Sequence, residues 1–285
     1  MRKKIPFVKM HGLGNDFIVV DDHVRVLADW KVRPATEECG PLTPELARAM
    51  CDRRFGIGAD QILWLRTPVR PEAGAHVRME ILNADGSTAE MCGNGIRAVA
   101  LYLKAEAFAL RGDYLVETLA GDLRVRLGDE GIEVDMGLPG FGAKAETLRA
   151  GGREFQFHEI SMGNPHAVIF VDPGERPEEM AANYGPEIER LPRFPNRTNV
   201  EFVEVTSPSA IQVRVWERGA GLTLACGTGA CAAAVATLAT GRGSGRLRVN
   251  LPGGDLRIAW AGPEYSVIME GPATEVFRGE YFPAQ

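Results

Sequence analysis

The sequence predicts an α/β fold of the α+β type with two pseudo-symmetric halves, each a mostly antiparallel sheet wrapped around a central apolar helix. Three observations lead to this prediction. Short β-branched or alternating runs recur between Gly-rich turns, as in strands. The segments 94–110 and 227–240 are apolar on most faces, as in core helices. Two motifs also occur twice along the chain, in the same order.

The repeated motifs are the strongest evidence for two halves. GNDFIVVD at 14–21 resembles GNPHAVIFVD at 163–172, and MCGNGIRAVALYL at 91–103 resembles ACGTGACAAAVATL at 225–238. Two co-linear matches favour an internal repeat over a coincidence between two Gly-rich strand-turn-helix units.

The boundary between the halves is predicted in the Gly/Pro-rich stretch 137–144. The first half then covers 1–140 and carries Cys92, and the second covers 141–285 and carries Cys226. If the halves pack about a pseudo-two-fold axis, the active site lies in the cleft between them.

Local patterns predict the remaining elements. A helix is predicted over 43–54, because Thr43 suits the N-cap and Pro44 suits the first helical position. An exposed helix is expected over 176–191, broken at Gly185-Pro186. Strands are predicted at 17–21, 61–65, 76–82, 114–119, 123–127, 167–172, 199–205, 211–217, 247–251, 255–260 and 265–270.

Composition indicates an ordinary globular protein. The 285 residues are 45% hydrophobic and 25% charged, with 32 basic and 38 acidic side chains and a net charge of −6. That charge argues against broad capture of nucleic acid or anionic membrane. The uncharged stretch 219–241 is too weakly apolar for a bilayer span, and no targeting segment is evident. We therefore expect a cytoplasmic protein without nucleic-acid or membrane partners.

Five cysteines at low density suggest a reducing cytosol and free thiols. Cys39, Cys51 and Cys231 are interpreted as small core residues. The spacing of Cys226 and Cys231 is unusual for metal ligands, and we predict no metal site.

Cys92 and Cys226 each open a Cys-Gly-x-Gly motif at a predicted helix start. A helix N-terminus stabilises a thiolate, so their pKa values are expected to lie closer to neutral pH. The following residues, Gly93-Asn94 and Gly227-Thr228, offer backbone N–H groups to an anion such as a carboxylate.

Two thiols on opposite sides of one bound carboxylate predict two-base racemisation or epimerisation. One thiolate removes the proton from the α-carbon, and the other thiol delivers a proton to the opposite face. This chemistry requires no cofactor. A disulfide or two buried structural cysteines is the alternative, which the duplication of the motif disfavours.

Residues 83–97 read NADGSTAEMCGNGIR, which matches the N-x-D-G-S-x4-C-G-N-G-x-R signature of the diaminopimelate epimerases. From about residue 7 to the C-terminus the sequence resembles that family. Two stretches, 24–42 and 66–75, look longer than the family's usual loops. Further matching motifs, in family order, are KMHGLGNDF at 9–17, GIGADQ at 56–61, MGNPHAV at 162–168, RTNVEF at 197–202, WERGAG at 216–221 and ACGTGACA at 225–232.

The resemblance implies interconversion of LL- and meso-diaminopimelate without pyridoxal phosphate or metal, in lysine and peptidoglycan precursor biosynthesis. Cys92 and Cys226 match the catalytic pair; for LL to meso, the family's usual assignment makes Cys226 the proton acceptor and Cys92 the donor. It further implies a homodimer, and it allows the last strand to return to the first half.

Substrate-binding positions also follow from the resemblance. Arg218 suits a bidentate grip on the distal carboxylate, Glu217 can accept from the distal ammonium, and His166 and Glu217 are expected to tune the thiols. The matching positions are Asn15, Gln61, Asn83, Asn164, Asn199, Glu217 and Arg218.

Two other functions stay open at this point. A related cysteine-pair amino-acid racemase, such as a proline racemase, typically has His where this chain has Asn94 and lacks WERG at 216–219. A thiol-disulfide redox switch or anion-binding module would not need Asn83, Asn164, Asn199 or Arg218. Nucleotide binding is disfavoured, since no P-loop and no GxGxxG after a strand occurs.

Overall fold

A computed structural model describes residues 4–23, 25–27, 30–32, 41–106, 112–128, 131–142 and 144–283. Cys39 and most of the stretch 24–42 lie outside the described residues. The described helices are α1 (Pro44–Cys51), α2 (Gly93–Ala105), α3 (Pro177–Ile188) and α4 (Gly227–Ala239). The described strands are β1 (Ile5–Gly12), β2 (Asn15–Asp21), β3 (Arg25–Leu27), β4 (Trp30–Val32), β5 (Gln61–Arg66), β6 (Val77–Asn83), β7 (Thr88–Ala89), β8 (Asp113–Thr118), β9 (Gly121–Leu127), β10 (Ile132–Asp135), β11 (Gly140–Phe141), β12 (Glu146–Ala150), β13 (Arg153–Ser161), β14 (Pro165–Phe170), β15 (Asn199–Ser207), β16 (Ala210–Glu217), β17 (Gly221–Leu222), β18 (Leu247–Leu251), β19 (Gly254–Ala259), β20 (Ile268–Gly271) and β21 (Thr274–Tyr281).

The chain forms two compact units. The first comprises Met1–Val134 and Pro272–Gln285, and the second Asp135–Gly271. Strand β21 belongs to the first unit because it pairs antiparallel with β1. The range 141–285 expected for the second half therefore includes one strand that packs in the first unit.

In the first unit, the sheet runs outward from β1 through a fixed series of pairings. β1 pairs antiparallel with β2, β2 parallel with β5, β5 antiparallel with β6, and β6 parallel with β8. β8 and β9, and then β9 and β10, pair antiparallel. Helix α2 packs against β1, β2, β9 and β21, while α1 packs against β5 and β6.

Strands β2 and β5 are buried on both faces because a helix lies on each side of them. Ile18 and Ile62 belong to the apolar cluster that includes Met50 of α1. Leu63 points the other way, toward α2, where a Cβ on Gly95 would lie 3.0 Å from its Cδ2 atom. The alternation of side chains along a strand thus supplies two apolar layers.

The second unit repeats the series of pairings. β13–β14, β14–β15, β15–β16 and β16–β18 are antiparallel, parallel, antiparallel and parallel, and β18–β19 and β19–β20 are antiparallel. Helix α4 takes the place of α2 and α3 that of α1. The predicted fold class, mostly sheet around an apolar helix in each of two similar halves, is confirmed.

Helix α3 corrects one expectation. It runs unbroken from Pro177 to Ile188, through Gly185 and Pro186. Gly185 allows close packing, since a Cβ there would lie 2.5 Å from the Cβ atom of Trp216. The indole Nε1 of Trp216 donates to Glu189 Oε2 at 2.8 Å. This packing maintains the helix despite the backbone donor that proline lacks.

Other boundaries also differ. The strand expected at 265–270 begins at Ile268, because Tyr265 N–H closes a turn onto Gly262 O at 2.9 Å. Helix α2 ends at Ala105, and 107–110 of the expected helix lie outside the described residues. The described strands that were not predicted are β1, β3, β4, β7, β10, β11, β12, β13, β17 and β21.

Candidate active site

Cys92 and Cys226 are the N-cap residues of α2 and α4. Both have extended backbone angles, and each sulfur accepts a backbone N–H three residues on: Gly95 N at 3.3 Å and Gly229 N at 3.4 Å. The cysteines thus occupy the position that Ser, Thr or Asp usually takes at a helix start.

The second glycine of each motif is required by close packing. A Cβ on Gly229 would lie 2.8 Å from Glu201 Oε1 and 3.2 Å from Cys226 Sγ. A Cβ on Gly95 would lie 3.4 Å from Cys92 Sγ. The motif therefore keeps each sulfur against the first turn of its helix.

In the first unit, Asn15 connects the thiol to the surrounding side chains. Cys92 Sγ lies 3.7 Å from Asn15 Oδ1, which also accepts from Asn94 Nδ2 at 3.2 Å. Asn15 Nδ2 donates to Asp60 Oδ2 at 2.8 Å. The side chain of Asn15 is therefore held from both ends.

An ionic cluster lies behind Asn15. Arg53 donates to both carboxylate oxygens of Asp16 and to Asp60, and Lys9 donates to Asp16 at 2.6 Å. Burial by itself raises the pKa of Asp16, but hydrogen bonds and charges from Arg53 and Lys9 lower it to about 2. Sequence reasoning did not single out these residues, although Lys9, Asp16 and Asp60 lie in motifs quoted for the family.

Gln61 and Asn83 are cross-strand partners on β5 and β6. Gln61 Nε2 donates to Asn83 Oδ1 at 2.9 Å, and Asn83 Nδ2 donates to Ser87 Oγ at 2.9 Å. Gln61 Oε1 is buried and has no hydrogen-bond partner in the described part of the chain. It is an acceptor suited to an ammonium group.

Arg97 is a further residue that sequence reasoning missed. Its guanidinium is fully buried and donates to Pro272 O at 3.2 Å, Gly93 O at 3.1 Å and Asn94 Oδ1 at 2.9 Å. It thus ties the first turn of α2 to the approach of β21. Its place inside the CGNGIR motif was the available signal.

In the second unit, Asn164 lies next to the start of α4. Its Nδ2 donates to Thr228 Oγ1 at 3.3 Å, and its Oδ1 lies 3.0 Å from His166 Nε2. Thr228 Oγ1 lies 3.5 Å from Cys226 Sγ. His166 thus reaches the region of the thiol through Asn164 and Thr228.

His166 and Glu201 form a fully buried pair. His166 Nδ1 lies 2.7 Å from Glu201 Oε1, and both side chains are 0% exposed. Glu201 Oε2 has no hydrogen-bond partner among the described residues. Burial raises the pKa of Glu201, against the opposing effect of His166. Glu201 was not among the predicted site residues.

The environment of Cys226 corrects the expected direction of its pKa. Burial raises the pKa of the thiol well above its ordinary value, and Glu217 and Glu201 raise it further. Hydrogen bonds from Thr228 and Gly229 oppose this shift. Burial also raises the pKa of Glu217, whose carboxyl contacts both Cys226 and Thr223. Desolvation near two carboxyl groups therefore outweighs the helix N-terminus.

Asn199 and Arg218 meet at the ends of β15 and β16. Asn199 Nδ2 donates to Pro165 O at 2.9 Å, and its Oδ1 accepts Arg218 N–H at 2.9 Å. The Arg218 side chain is exposed, with Nη1 3.4 Å from Asn196 O.

The predicted site residues thus lie in both units, with Cys92 among those of the first unit and Cys226 among those of the second. Within the described ranges, no group of three or more His, Cys, Asp or Glu side chains could hold a metal ion. None of the helices described is long and apolar enough to cross a bilayer.

Comparison with known proteins identifies the family. The sequence model of one protein family, described as diaminopimelate epimerase, matches residues 7–141 and 159–276 of this chain. A diaminopimelate epimerase of Desulfitobacterium hafniense is 45% identical over 289 residues, covering 95% of this chain and 96% of that protein. The chain belongs to the diaminopimelate epimerase family. It is therefore related to isomerases, and its two Cys-Gly-x-Gly helix starts lie inside the matched ranges.

Solved structures of other proteins are similar to this chain in their fold. A PhzF-family phenazine biosynthesis protein of Bacillus anthracis has a TM-score of 0.72 at 15% identity, covering 98% of this chain and 99% of that one. A hydroxyproline epimerase of Agrobacterium vitis, with bound trans-4-hydroxy-L-proline, has a TM-score of 0.67 at 15% identity and coverages of 99% and 94%.

Proposed function

We propose that this chain interconverts LL- and meso-2,6-diaminopimelate, a step in lysine and peptidoglycan precursor biosynthesis. The observation that carries the proposal is the 45% identity to a diaminopimelate epimerase over 95% of the chain. We further propose that the protein works as a homodimer in the cytoplasm.

The proposed chemistry uses Cys92 and Cys226 on opposite faces of one α-carbon. For LL to meso, the thiolate of Cys226 takes the α-proton, and the thiol of Cys92 gives its proton to the other face. One proton leaves carbon and one arrives, so the reverse reaction exchanges the roles. The equivalent placement of both sulfurs as helix N-caps supports the use of both thiols, and the direction for LL to meso follows the family's usual assignment.

The surroundings of Cys226 support a role for its neighbours in this proton transfer. Because burial holds the pKa of the thiol high, a thiolate there is a strong base once formed. Thr228 and Gly229 supply the donors that stabilise it. The N–H groups of the first turns of α2 and α4 would hold the substrate carboxylate, whose charge grows as the proton leaves.

The remaining site residues are proposed to read the distal end of the substrate, which does not react. The exposed guanidinium of Arg218 would bind the distal carboxylate with two parallel hydrogen bonds. Glu217, Asn83 and Gln61 supply acceptors for ammonium groups. Asn164 and Asn199 complete the proposed set of binding residues.

The first experiment replaces each thiol. Cys92→Ala and Cys226→Ala are each expected to abolish formation of meso-diaminopimelate from the LL isomer, because one thiol serves only one face. Cys231→Ala is the matched control, since Cys231 is a buried cysteine on the same helix as the Cys226 cap. Turnover near that of the unsubstituted protein in either variant would overturn the two-thiol proposal.

The same assays separate the alternatives. Equal activity on proline or hydroxyproline would favour a cysteine-pair racemase. Inactivity on every amino acid, together with a reversible Cys92–Cys226 disulfide, would favour a redox switch.

A further inference from the structure

Asn15 and Asn164 occupy equivalent places in the repeat, yet different groups hold their side-chain amides. Asn15 is the first residue of β2, and Asn164 directly precedes β14. Each follows the glycine of a repeated Gly-Asn. In the first unit the amide oxygen of Asn15 faces the cysteine. In the second unit the amide NH₂ of Asn164 is directed toward the cysteine through Thr228.

In the first unit, the partners of Asn15 permit one orientation of its amide. Asp60 Oδ2, 2.8 Å from Nδ2, is a carboxylate oxygen and accepts hydrogen bonds. Asn94 Nδ2, 3.2 Å from Oδ1, donates. The orientation of the Asn94 amide is in turn set by Arg97, which donates to Asn94 Oδ1. Turning Asn15 over would set oxygen against oxygen and NH₂ against NH₂, so Oδ1 faces Cys92.

In the second unit, the buried His166–Glu201 pair sets the opposite orientation. A net negative charge on this fully buried pair would be costly, so the pair is overall neutral. It is then either a carboxylic acid donating to Nδ1 of neutral His166, or a carboxylate accepting from an imidazolium. In both states Nε2 carries a proton, and Asn164 Oδ1 accepts it at 3.0 Å.

The hydrogen-bond direction set at His166 extends through Asn164 to the sulfur of Cys226. With Oδ1 occupied, Asn164 Nδ2 donates to Thr228 Oγ1 at 3.3 Å. The Thr228 hydroxyl accepts this bond, which leaves its own proton for Cys226 Sγ at 3.5 Å. A chain of donors that includes His166, Asn164 and Thr228 therefore ends at Cys226, which the Glu217 carboxyl also contacts. In the first unit an acceptor, Asn15 Oδ1, faces Cys92.

The difference resides in two positions of the repeat. Register pairs Phe17 with Gln61 in the first unit and His166 with Asn199 in the second, so Phe17 corresponds to His166. Two residues further along β5 and β15, Leu63 corresponds to Glu201. Each faces the second glycine of its motif, because a Cβ on Gly95 would lie 3.0 Å from Leu63 Cδ2 and one on Gly229 would lie 2.8 Å from Glu201 Oε1. One unit thus has an apolar pair where the other has an acid and an imidazole.

We propose that Asp60 and Glu201 are positioning residues that lock Asn15 and Asn164 in opposite amide orientations. Asn15 then presents a hydrogen-bond acceptor to Cys92, and Asn164, through Thr228, presents a hydrogen-bond donor to Cys226. The proposal rests on the proposed function for its catalytic meaning. The orientations themselves are testable without substrate.

The test is alkylation by iodoacetamide, read for each cysteine by peptide mass spectrometry across a pH series. The double variant His166→Phe with Glu201→Leu installs the apolar pair of the first unit. At a given pH, alkylation of Cys226 is expected to be about tenfold slower, because the thiolate loses the equivalent of one hydrogen bond. The pH at which alkylation reaches half its maximal rate is expected to rise. Glu201→Gln keeps the side-chain shape, and a smaller change in the same direction is expected.

The direction of the change in the alkylation rate distinguishes positioning by Glu201 from a simple effect of its negative charge. The charged or titratable groups facing Cys226 are Glu201, Glu217 and His166. If Glu201 acted on Cys226 only as a nearby negative charge, its removal would speed alkylation. Faster or unchanged alkylation of Cys226 in both Glu201 variants would therefore overturn the proposal. Glu204→Gln, on the same strand, is the control and should change nothing.

Asp60→Asn tests the first unit. Freed from the carboxylate, Asn15 can turn its NH₂ toward Cys92, and alkylation of Cys92 is expected to rise severalfold. Asp16→Asn removes a carboxylate from the same cluster without touching the Asn15 side chain and should leave Cys92 unchanged. Equal effects of the two variants on Cys92 would refute positioning by Asp60.

Epimerase assays on the same samples keep the two proposals distinct. An inactive unsubstituted protein with the expected alkylation pattern would refute the function and support the positioning. An active protein whose variants leave alkylation unchanged would do the reverse.

Discussion

Replacing Arg97 with alanine should destabilise the protein strongly, although the residue has no proposed role in chemistry. The guanidinium is 0% exposed and donates to Pro272 O, Gly93 O and Asn94 Oδ1. A buried charge with these partners is costly to remove, because the acceptors lose their donors and a cavity replaces the side chain.

The size of the effect follows from those three contacts. Hydrogen bonds to a charged group contribute about 1.5–3 kcal/mol each. Taking the low end for three bonds, which are not fully additive, we expect the free energy of unfolding to fall by about 4 kcal/mol. This agrees with the roughly 3–5 kcal/mol typical of breaking a buried charged interaction.

Urea denaturation followed by circular dichroism measures the change. Arg126→Ala is the matched control, because Arg126 lies in the same unit but its side chain is 60% exposed and pairs with Asp113 at the surface. That variant should unfold at nearly the same urea concentration as the unsubstituted protein, because an exposed ion pair contributes little to stability. If Arg97→Ala lies within 1 kcal/mol of Arg126→Ala, the inferred role of Arg97 is wrong.

Three further outcomes are expected. Gly185→Ala should cost about 1–3 kcal/mol of unfolding free energy by overpacking against Trp216, and a neutral result would contradict the close approach. Because the folded pKa of Asp16 is lowered to about 2, its carboxylate stabilises the fold above pH 4, and this is lost as pH falls toward 2. Asp16→Asn should therefore cost about 2 kcal/mol at pH 7 and almost nothing at pH 2, and a pH-independent cost would refute that reasoning. Arg218→Ala should raise KM for diaminopimelate at least about tenfold with unchanged stability, and unchanged kinetics would place the distal carboxylate elsewhere.

Much of the fold could be predicted from the sequence because its signals are local. The repeated motifs correspond to β2 with β14 and to α2 with α4. Thr43 and Pro44 located the start of α1 correctly. By contrast, β21 is largely exposed and lacks a buried face, so its pattern carried no strand signal. The course of α3 through Gly185 and Pro186 depends on Trp216, which is distant in sequence.

Residues of the candidate site could be proposed from the sequence where a residue type carries its own chemistry. Cys92 and Cys226 stand out because each begins a repeated helix start. Asp60 and Glu201 do not, because their significance comes from contacts made by folding. The pKa of Cys226 shows the same limit: the helix N-terminus is visible in the sequence, while burial beside Glu217 is not.

The most direct test of the central claim is incubation of the protein with LL-diaminopimelate in deuterated water, without added pyridoxal phosphate. Because separate thiols remove and deliver the proton, we expect meso-diaminopimelate with one deuterium at the inverted α-carbon. The unconverted LL isomer should at first stay unlabelled. Absence of meso product, or protium retained at the inverted carbon, would contradict that claim.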